Sequence, residues 1–348
     1  MSGVHLLGVG ATSFSRRRGE ARPLAREAIA AALADAGLTA RAVDGIAIAA
    51  ADAGFEAGCL EALGAPKRSF LCRCGLGANA LHAAWKAISA GAADVVLCVG
   101  HDSVEGGEGG LSVESLAAAA RLYMRRSGAT EEDLALVAAK NRAHGAANPH
   151  ALLRESVEAA EVLASELLAW PLRRLMLAPP VEGATAVVLG GREVGRRSGP
   201  RVPRLRASVL VDDASREGGA PASAARLGYF SAELGPEDVD VAEVEDPTPV
   251  EELAAYEALE FAPAGSGPEL AQSGFTAVGG VLPVNPSGGS LAQGRVQGSG
   301  AIRQLIELSL QLRDRAGSRQ VPGARVALGL GGGWTSCASV ATVTILST

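Results

Sequence analysis

The stretch that decides the fold runs from Phe70 to Gly91 and reads FLCRCGLGANALHAAWKAISAG. Apolar residues occupy nearly every side of the segment that follows Ala78, so a helix here is predicted to be buried all round. Gly91 is the type of residue that ends a helix. The run from Asp94 to Gly100, DVVLCVG, then predicts a buried strand. A buried helix followed by a buried strand is typical of the centre of an α/β protein.

Cys74 stands directly before this predicted helix. Unpaired backbone N–H groups and the helix dipole favour a thiolate over a thiol at such a position, so Cys74 is the candidate nucleophile. Free cysteine is also among the residues most often buried for packing alone. The chain has five cysteines, and a packing role for Cys74 is the alternative.

The composition excludes several classes of protein. Of the 348 residues 48% are hydrophobic, 20% are charged and 44 are glycine, which is typical of a tightly packed α/β protein. The net charge is −6 and basic residues do not cluster, so no nucleic-acid partner is expected. No apolar run reaches membrane-spanning length, and no Cys, His and carboxylate set has the spacing of a metal site. The odd number of scattered cysteines predicts a reducing, cytoplasmic location.

Strands and helices alternate along the chain and are separated by glycine turns. A helix is predicted at 23–37 and a strand at 43–50, and residues 101–110 form a glycine and acid loop. Residues 192–204 are predicted to link two halves. In the second half, strands are predicted at 206–210, 239–244, 280–284, 326–333 and 340–346, and helices at 250–259 and 298–314. This alternation predicts βαβ units in a mostly parallel sheet, with the second half repeating the rhythm of the first.

The run from Cys74 to Ala80, CGLGANA, resembles the nucleophile segment of the thiolase superfamily, C-x-[ST]-G-x-x-A. Leu76 replaces the usual Ser or Thr of that segment. Cys72 also fits the shorter pattern C-x-x-G-x-x-A, but only Cys74 brings the helix end at Gly91 into register. The resemblance therefore implies that Cys74 is the reactive cysteine.

Two further segments extend the resemblance over nearly the full length of the chain. The stretch from Tyr123 to Leu134 resembles the insertion that covers the active site in sterol carrier protein 2-type thiolases. The stretch from Glu182 to Leu189, EGATAVVL, is similar to that family's D-G-A-A-A strand.

The resemblance implies the α/β class and the thiolase fold, in which duplicated βαβ-rich halves form a five-layer αβαβα sandwich. Residues 1–200 are then the N-terminal half that carries Cys74, with a helical covering insertion at about 104–170. Residues 201–348 are the C-terminal half.

Three motifs that carry the family's chemistry are altered here. Where the family has the histidine of G-H-P, this chain has Arg295, which cannot act as a base near neutral pH but can stabilise a thiolate by charge. Where related members have H-D-x-F, the chain has Glu245-Asp246-Pro247-Thr248, so that a neutral donor becomes a carboxylate. The family's C-x-G motif corresponds to Gly329-Leu330-Gly331, which offers no side chain.

A Claisen condensation needs an activated thiolate, a base at the α-carbon and donors that face an oxyanion. The resemblance therefore implies an acyltransferase rather than an ordinary Claisen thiolase. It would load an acyl group from a coenzyme A or carrier-protein thioester onto Cys74 and transfer it to an acceptor. Glu245, desolvated in a pocket, is a candidate base with a raised pKa. Alternatively, Glu245 and Arg295 neutralise each other beside an inactive site.

A glycine-rich turn precedes the altered G-H-P motif and matches the family's N-x-x-G-G. Glycine allows the backbone to approach a thioester closely, although a turn needed only for folding is the alternative. The predicted substrate-binding residues are Asn285, Gly288, Gly289, Gly294 and Gly331. His101 lies where the family's loop turns toward the site, and it completes a candidate catalytic set with Cys74, Glu245 and Arg295.

Two other functions stay open. One is a catalytically degenerate subunit that supports an active partner. The other is a retro-aldol lyase acting on acyl-CoA, although related lyases use tyrosines near the glycine-rich motifs and Tyr123, Tyr229 and Tyr256 do not occupy those places. No tightly bound cofactor is expected, and a coenzyme A thioester is the expected substrate. The resemblance implies a homodimer and a small OB-fold, zinc-ribbon partner protein.

Overall fold

The structure is a computed structural model that describes residues 3–16, 19–50, 52–64, 70–104, 112–199, 201–212, 219–332 and 340–348. The strands are β1 Val4–Ala11, β2 Gly45–Ala49, β3 Phe70–Cys74, β4 Val95–Asp102, β5 Leu167–Ala169, β6 Leu172–Arg173, β7 Gly183–Gly190, β8 Arg204–Asp212, β9 Val241–Val244, β10 Val326–Gly332 and β11 Val340–Ser347. The helices are α1 Ala21–Ala36, α2 Ala53–Leu63, α3 Gly77–Ser89, α4 Val113–Ser127, α5 Glu131–Ala146, α6 Ala159–Ala164, α7 Arg192–Arg197, α8 Gly219–Ala232, α9 Pro249–Ala258, α10 Gly267–Gln272, α11 Gly289–Gln293 and α12 Gly300–Leu312.

Within the described residues, nine strands form one sheet in the order β3-β2-β4-β7-β1-β8-β11-β10-β9. Counted outward from the centre, one half runs β1, β7, β4, β2, β3 and the other runs β8, β11, β10, β9. Val284 makes a parallel bridge to Ala242 of β9, in the place where a fifth strand of the second half belongs. At each step outward from the centre, the strand pairing in one half is of the same kind, parallel or antiparallel, as the corresponding pairing in the other half. The two halves therefore share one topology.

A pair of aspartates repeats the same contact in both halves. Asp44 precedes β2, and its carboxylate accepts hydrogen bonds of 3.0 and 2.9 Å from two backbone N–H groups at the entrance to β4. Asp240 precedes β9, and its carboxylate accepts bonds of 2.7 and 2.8 Å from two N–H groups at the entrance to β10. We call Asp44 and Asp240 the aspartate clamps. Each one joins two neighbouring parallel strands at their amino ends.

Helices α3 and α12 lie against each other between the two halves of the sheet. Their buried side chains, including Leu81 and Ile302, share one core with strands of both halves. Helices α1 and α2 cover the opposite face of the first half, and α8 and α9 cover the opposite face of the second. The predicted five-layer α/β arrangement is confirmed, and it places the amino ends of α3 and α12 side by side.

The sequence predictions for the elements need four corrections. The sheet is not mostly parallel, since five of its eight strand pairings in the described residues are antiparallel and three are parallel. Helix α3 is not buried all round, because Lys86 is exposed and Trp85 is only half-buried.

Residues 280–284 form no strand apart from the bridge at Val284, because Pro283 lacks a backbone N–H and Gly279 adopts a positive φ of 92°. The predicted linker contains a short helix, α7. Residues 105–110 of the predicted loop and residue 333 of the predicted strand lie outside the described residues. None of the helices in the described part combines the length and apolar character needed to cross a membrane.

Candidate active site

The amino ends of α3 and α12 meet through closely packed backbone. The Gly77 N–H donates a 3.1 Å hydrogen bond to the Gln297 carbonyl oxygen. A Cβ at Gly77 or at Gly100 would clash with the Gly298 carbonyl oxygen, and a Cβ at Gly298 would clash with that of His101. Only glycine fits these close approaches. They bring the segment after Cys74 and the segment after Arg295 to one place.

Asp102, the last residue of β4, holds the segment that leads into α12. Its carboxylate accepts hydrogen bonds of 2.5, 2.9 and 2.7 Å from the backbone N–H groups of Gln297, Gly298 and Ser299. A carboxylate at a helix amino end satisfies N–H groups that have no partner within the helix and interacts favourably with the helix dipole. Asp102 therefore ties the N-terminal half to the central helix of the C-terminal half. The sequence analysis missed this residue, although an acid at the end of a buried strand was the available signal.

Cys74 is half-buried and ends β3, so Gly75 and Leu76 separate it from the first turn of α3. Its Sγ lies 3.1 Å from the Sγ of Cys72. Burial raises the pKa of the Cys74 thiol to about 12, and Cys72 adds to the increase. The sequence predicted a lowered pKa from the helix dipole, and that prediction is wrong because the dipole effect fades beyond the first turn. Among the described residues, no base or cation forms a hydrogen bond with this sulfur.

Glu245 follows β9 and lies beside the first turn of α12. Its Oε2 accepts a 2.7 Å hydrogen bond from the Gly332 N–H, and its Oε1 has no protein partner in the described part of the chain. Burial raises the pKa of the Glu245 carboxyl, although the bond from Gly332 and the charge of Arg303 act in the opposite direction, and Asp102 raises it further. The raised pKa predicted from the sequence is confirmed in direction. Gly331 lies next to this carboxyl, at a position where a Cβ would be 3.9 Å from Oε2.

Arg295 lines a cavity of about 730 Å³ beneath the covering insertion. Four arginines contribute to its wall, and we call it the arginine-lined cavity. Its lining residues are Arg16, Val104, Val113, Leu116, Arg142, Leu153, Leu168, Arg174, Leu175, Leu177, Ala178, Pro179, Pro180, Pro247, Leu291 and Arg295. Burial lowers the pKa of Arg295. No salt bridge joins Arg295 to Glu245, so the proposed mutual neutralisation has no direct contact behind it. Cys74 does not line this cavity.

Asn285 is fully buried, and its side chain is occupied by the protein. Its Oδ1 accepts a 2.8 Å bond from the Val244 N–H, and its Nδ2 donates a 2.7 Å bond to Glu252. Its carbonyl oxygen lies 2.9 Å from His144 Nδ1, while His144 Nε2 accepts a 3.0 Å bond from the Val278 N–H. This geometry requires a neutral imidazole protonated on Nδ1. Burial accordingly lowers the pKa of His144 to about 4.

Glu252 connects this turn to the covering insertion. It accepts hydrogen bonds from Lys140 and Tyr256, and a 2.6 Å bond from Asn141 Nδ2. Asn141 Nδ2 also donates to Asp246 at 2.9 Å, and the Asp246 carboxylate accepts from N–H groups at the start of α11. The signal that could have revealed this network is the polar run KNRAH at 140–144 within an otherwise apolar helix. The network fixes the turn at 285–289 against the insertion.

The predicted glycines shape this turn. Gly288, Gly289 and Gly294 all adopt positive φ angles of 95°, 59° and 95°. A Cβ at Gly294 would also clash with Val181. Folding alone thus accounts for glycine at these positions, and substrate binding by them stays a prediction.

His101 does not join the site. Successive side chains of a strand point to opposite faces, and Asp102 and His101 follow this rule. Asp102 faces α12, whereas the His101 ring stacks on Phe55 of α2 with a centroid separation of 4.6 Å. Its Nε2 lies 3.1 Å from Glu182 Oε1, and both side chains are buried. The structure places this histidine on the opposite face of the sheet from Cys74 and Glu245.

Comparisons with known proteins agree with this architecture. Residues 211–348 match the family described as Thiolase C-terminal domain-like. The chain is 31% identical to sterol carrier protein 2 of Bos taurus over 382 residues, which covers 94% of this chain and 70% of that protein. The chain belongs to the sterol carrier protein 2-type branch of the thiolase superfamily.

Other members of this superfamily show the range of chemistry around the fold. The thiolase-like chain is 32% identical to an acetyl-CoA acetyltransferase of Methanothermobacter thermautotrophicus, over 73% of each protein. It also resembles the solved structure of the Ltp2-ChsH2(DUF35) aldolase, with a TM-score of 0.87 and 25% identity over 99% of this chain and 98% of that one. A function related to acyl-CoA follows from the family.

Glu245 is a group suited to proton transfer. Its pKa is raised and its Oε1 has no partner among the described residues, whereas the Cys74 proton has no acceptor there apart from Cys72. The hydroxyl groups of Tyr123, Tyr229 and Tyr256 donate hydrogen bonds to Glu257, the Leu259 carbonyl oxygen and Glu252, respectively. Among the described residues, no group of three or more His, Cys, Asp or Glu is placed to hold a metal ion. Carboxylate chemistry is therefore what this arrangement supports.

Proposed function

We propose that this thiolase-like protein is a lyase that breaks or forms a carbon–carbon bond of an acyl-CoA by aldol-type chemistry, with Glu245 carrying the proton. The observation behind the proposal is the Glu245 carboxyl, which is held by the Gly332 N–H at 2.7 Å, has no partner on its second oxygen among the described residues and has a raised pKa. A carboxylate with a raised pKa is a stronger base than an ordinary one, and its acid can return the proton. The similarity to the Ltp2-ChsH2(DUF35) aldolase supports the same reaction class.

In the cleavage direction, the substrate is a 3-hydroxyacyl thioester. The Glu245 carboxylate takes the proton of the hydroxyl group, the bond between the α- and β-carbons breaks, and the β-carbon leaves as a carbonyl compound. The electron pair of the broken bond becomes the enolate of the thioester. Glu245 then returns the proton to the α-carbon, which yields a shortened acyl-CoA. No acyl group is attached to the protein in this reaction.

A second candidate is the acyltransferase that carries its acyl group on Cys74. The position of Cys74 ahead of α3 and the similarity to an acetyl-CoA acetyltransferase favour it. The raised pKa of the Cys74 thiol opposes it, because burial disfavours the thiolate that must attack the thioester. The lyase needs no thiolate, so this difference supports the lyase.

The test measures two products with one set of variants. The protein is incubated with hexanoyl-CoA in D₂O, and mass spectrometry records deuterium at the α-carbon and any acyl adduct on the protein. The lyase exchanges the α-proton in the wild type and in Cys74→Ala, without an adduct. Glu245→Gln, which keeps an oxygen for the Gly332 N–H, slows exchange by roughly 10²- to 10⁴-fold.

Other outcomes refute the lyase. An adduct that disappears in Cys74→Ala establishes acyl transfer. Exchange that is unchanged in Glu245→Gln removes the proposed proton carrier. If hexanoyl-CoA binds but neither exchange nor an adduct is observed, the remaining function is that of a non-catalytic subunit that supports an active partner.

We also propose the homodimer and the small OB-fold, zinc-ribbon partner that the family resemblance implies. The second component in the name of the Ltp2-ChsH2(DUF35) aldolase supports a partner protein. Sedimentation equilibrium at micromolar concentration measures the oligomeric state directly. A mass of 35.1 kDa there, which is that of one chain, refutes the dimer.

A further inference from the structure

The arginine-lined cavity combines apolar walls with positive charge. Among the described residues, its lining contains four arginines and no aspartate or glutamate, and leucines, valines and prolines provide most of the remaining wall. Its volume of about 730 Å³ lies within the range of small-molecule sites. Pro247, two residues after Glu245 in sequence, and Arg295, five residues before the start of α12, line the cavity, whereas Glu245 itself does not. A ligand that fits this wall has an apolar body and an anionic group.

Arg142 on α5 is the arginine whose surroundings are least complete. It is only 7% exposed, and its Nη2 donates a 2.8 Å bond to the Glu155 carbonyl oxygen. Its Nε is buried and has no hydrogen-bond partner, and its Nη1 has none among the described residues. A buried donor without a partner costs about 1–3 kcal/mol, so a native structure that keeps one needs a reason.

The charge of Arg142 is also poorly balanced by the protein. Glu155 and Glu161 act on it at a distance, but neither carboxylate forms an ion pair with it, and Arg16 opposes it with like charge. Arg174, by contrast, is paired with Glu166 at the exposed rim. Among the described residues, no carboxylate therefore pairs with the charge of Arg142.

We infer that the arginine-lined cavity binds the acyl part of a thioester that carries a carboxylate at its far end, and that Arg142 is the specificity-determining residue for this carboxylate. The inference rests on the proposed function, because it assigns the class of acyl thioester on which the lyase acts. Apolar walls suit the carbon chain, and a guanidinium with free N–H groups suits a carboxylate in a bidentate geometry. The phosphates of coenzyme A offer the same anionic chemistry, and the experiment separates the two sources.

The experiment compares two acyl chains of equal length by isothermal titration calorimetry. Glutaryl-CoA carries a terminal carboxylate and pentanoyl-CoA does not, while free coenzyme A carries only the phosphates. The wild type is expected to bind glutaryl-CoA roughly tenfold to a hundredfold more tightly than pentanoyl-CoA, which is the effect of a hydrogen bond to a charged group. Arg142→Gln removes this preference and leaves the affinities for pentanoyl-CoA and free coenzyme A unchanged.

Arg121→Gln is the matched control. Arg121 belongs to the same insertion and, like Arg142, donates to a backbone carbonyl, that of Trp170 at 2.7 Å, but it does not line the cavity. It is expected to keep the preference for glutaryl-CoA. The wild-type comparison needs no variant, so it holds even where Arg142→Gln folds poorly.

Three results overturn the inference. The wild type shows no preference for glutaryl-CoA, or Arg142→Gln weakens all three ligands equally, which assigns the cavity to phosphate. The third is the absence of binding by any of the three, which also removes the proposed function. If the protein exchanges α-protons but does not prefer glutaryl-CoA, the lyase proposal stands and only the proposed carboxylate specificity is rejected.

Discussion

Replacing Asp102 by alanine tests the junction on which the site is built. The substitution removes three hydrogen bonds of 2.5, 2.9 and 2.7 Å between a carboxylate and the residues 297–299 that lead into α12. Hydrogen bonds to a charged group contribute about 1.5–3 kcal/mol each, and losing a helix cap costs about 1 kcal/mol. Asp102 is half-buried and water replaces part of these bonds, so we expect the free energy of unfolding to fall by about 2–4 kcal/mol.

The assay is urea unfolding, in which Asp102→Ala lowers the midpoint and leaves the slope unchanged. The same variant changes the chemistry in a defined direction. Because the charge of Asp102 raises the pKa of Glu245, the pH profile of α-proton exchange moves to lower pH in Asp102→Ala and in Asp102→Asn. The clamp Asp240 is the control, since its carboxylate also accepts hydrogen bonds from backbone N–H groups but lies at the amino ends of the strands, opposite the end where Glu245 lies. Asp240→Ala is expected to lose stability without moving the profile.

Two results would refute this reasoning. A loss of less than 0.5 kcal/mol in Asp102→Ala, below the usual contribution of a cap, would show that Asp102 does not hold the junction. An equal shift of the exchange profile in Asp240→Ala would show that the effect does not depend on the distance from Glu245.

Three further predictions concern residues around the site. The pKa of His144 falls from 6.5 to about 4 on folding. Between these two pH values the unfolded chain binds more protons than the folded chain, so the free energy of unfolding drops by about 3 kcal/mol as pH falls from 6.5 to about 4. His144→Gln removes this dependence, as urea titrations at several pH values would show or disprove. Gly294→Ala destabilises by about 1–3 kcal/mol more than Gly37→Ala, because both glycines have positive φ but a Cβ meets no atom within 4 Å at Gly37; equal melting curves would contradict this. Cys72→Ala speeds alkylation of Cys74 by iodoacetamide at fixed pH, since Cys72 helps to raise the Cys74 pKa, and an unchanged rate would show that burial alone sets it.

The sequence predicted the fold well because its signals are local and periodic. The apolar segment after Ala78 packs as the central helix α3, and the predicted helix at 298–314 contains its counterpart α12. A fold made of two copies supplies each of these signals twice. The close approaches at Gly77 and Gly298, where backbone contacts leave no room for a side chain, were not predicted, because they arise only when α3 and α12 pack together.

The candidate site was harder to predict because it depends on shifts of two or three residues in where a strand or helix ends and on the face of the sheet to which a side chain points. Cys74 ends a strand rather than starting a helix, and this small displacement reverses the direction of its pKa shift. His101 is one residue away from Asp102, yet the alternation of the strand sends it to the opposite face. The unpartnered Nε of Arg142 becomes visible only when α5 is packed on the rest of the chain.

The aspartate clamps separate the part of the molecule that maintains its architecture from the part that can diversify. Asp44 and Asp240 perform the same task at the amino ends of the strands in both copies. At the carboxyl ends the copies differ, since a thiol ends β3 in one and a buried amide follows Val284 in the other. Catalytic specialisation in one copy therefore leaves the strand registration of both intact. Replacing the loops at the carboxyl ends of the strands would therefore leave in place the aspartate hydrogen bonds that join neighbouring strands at their amino ends.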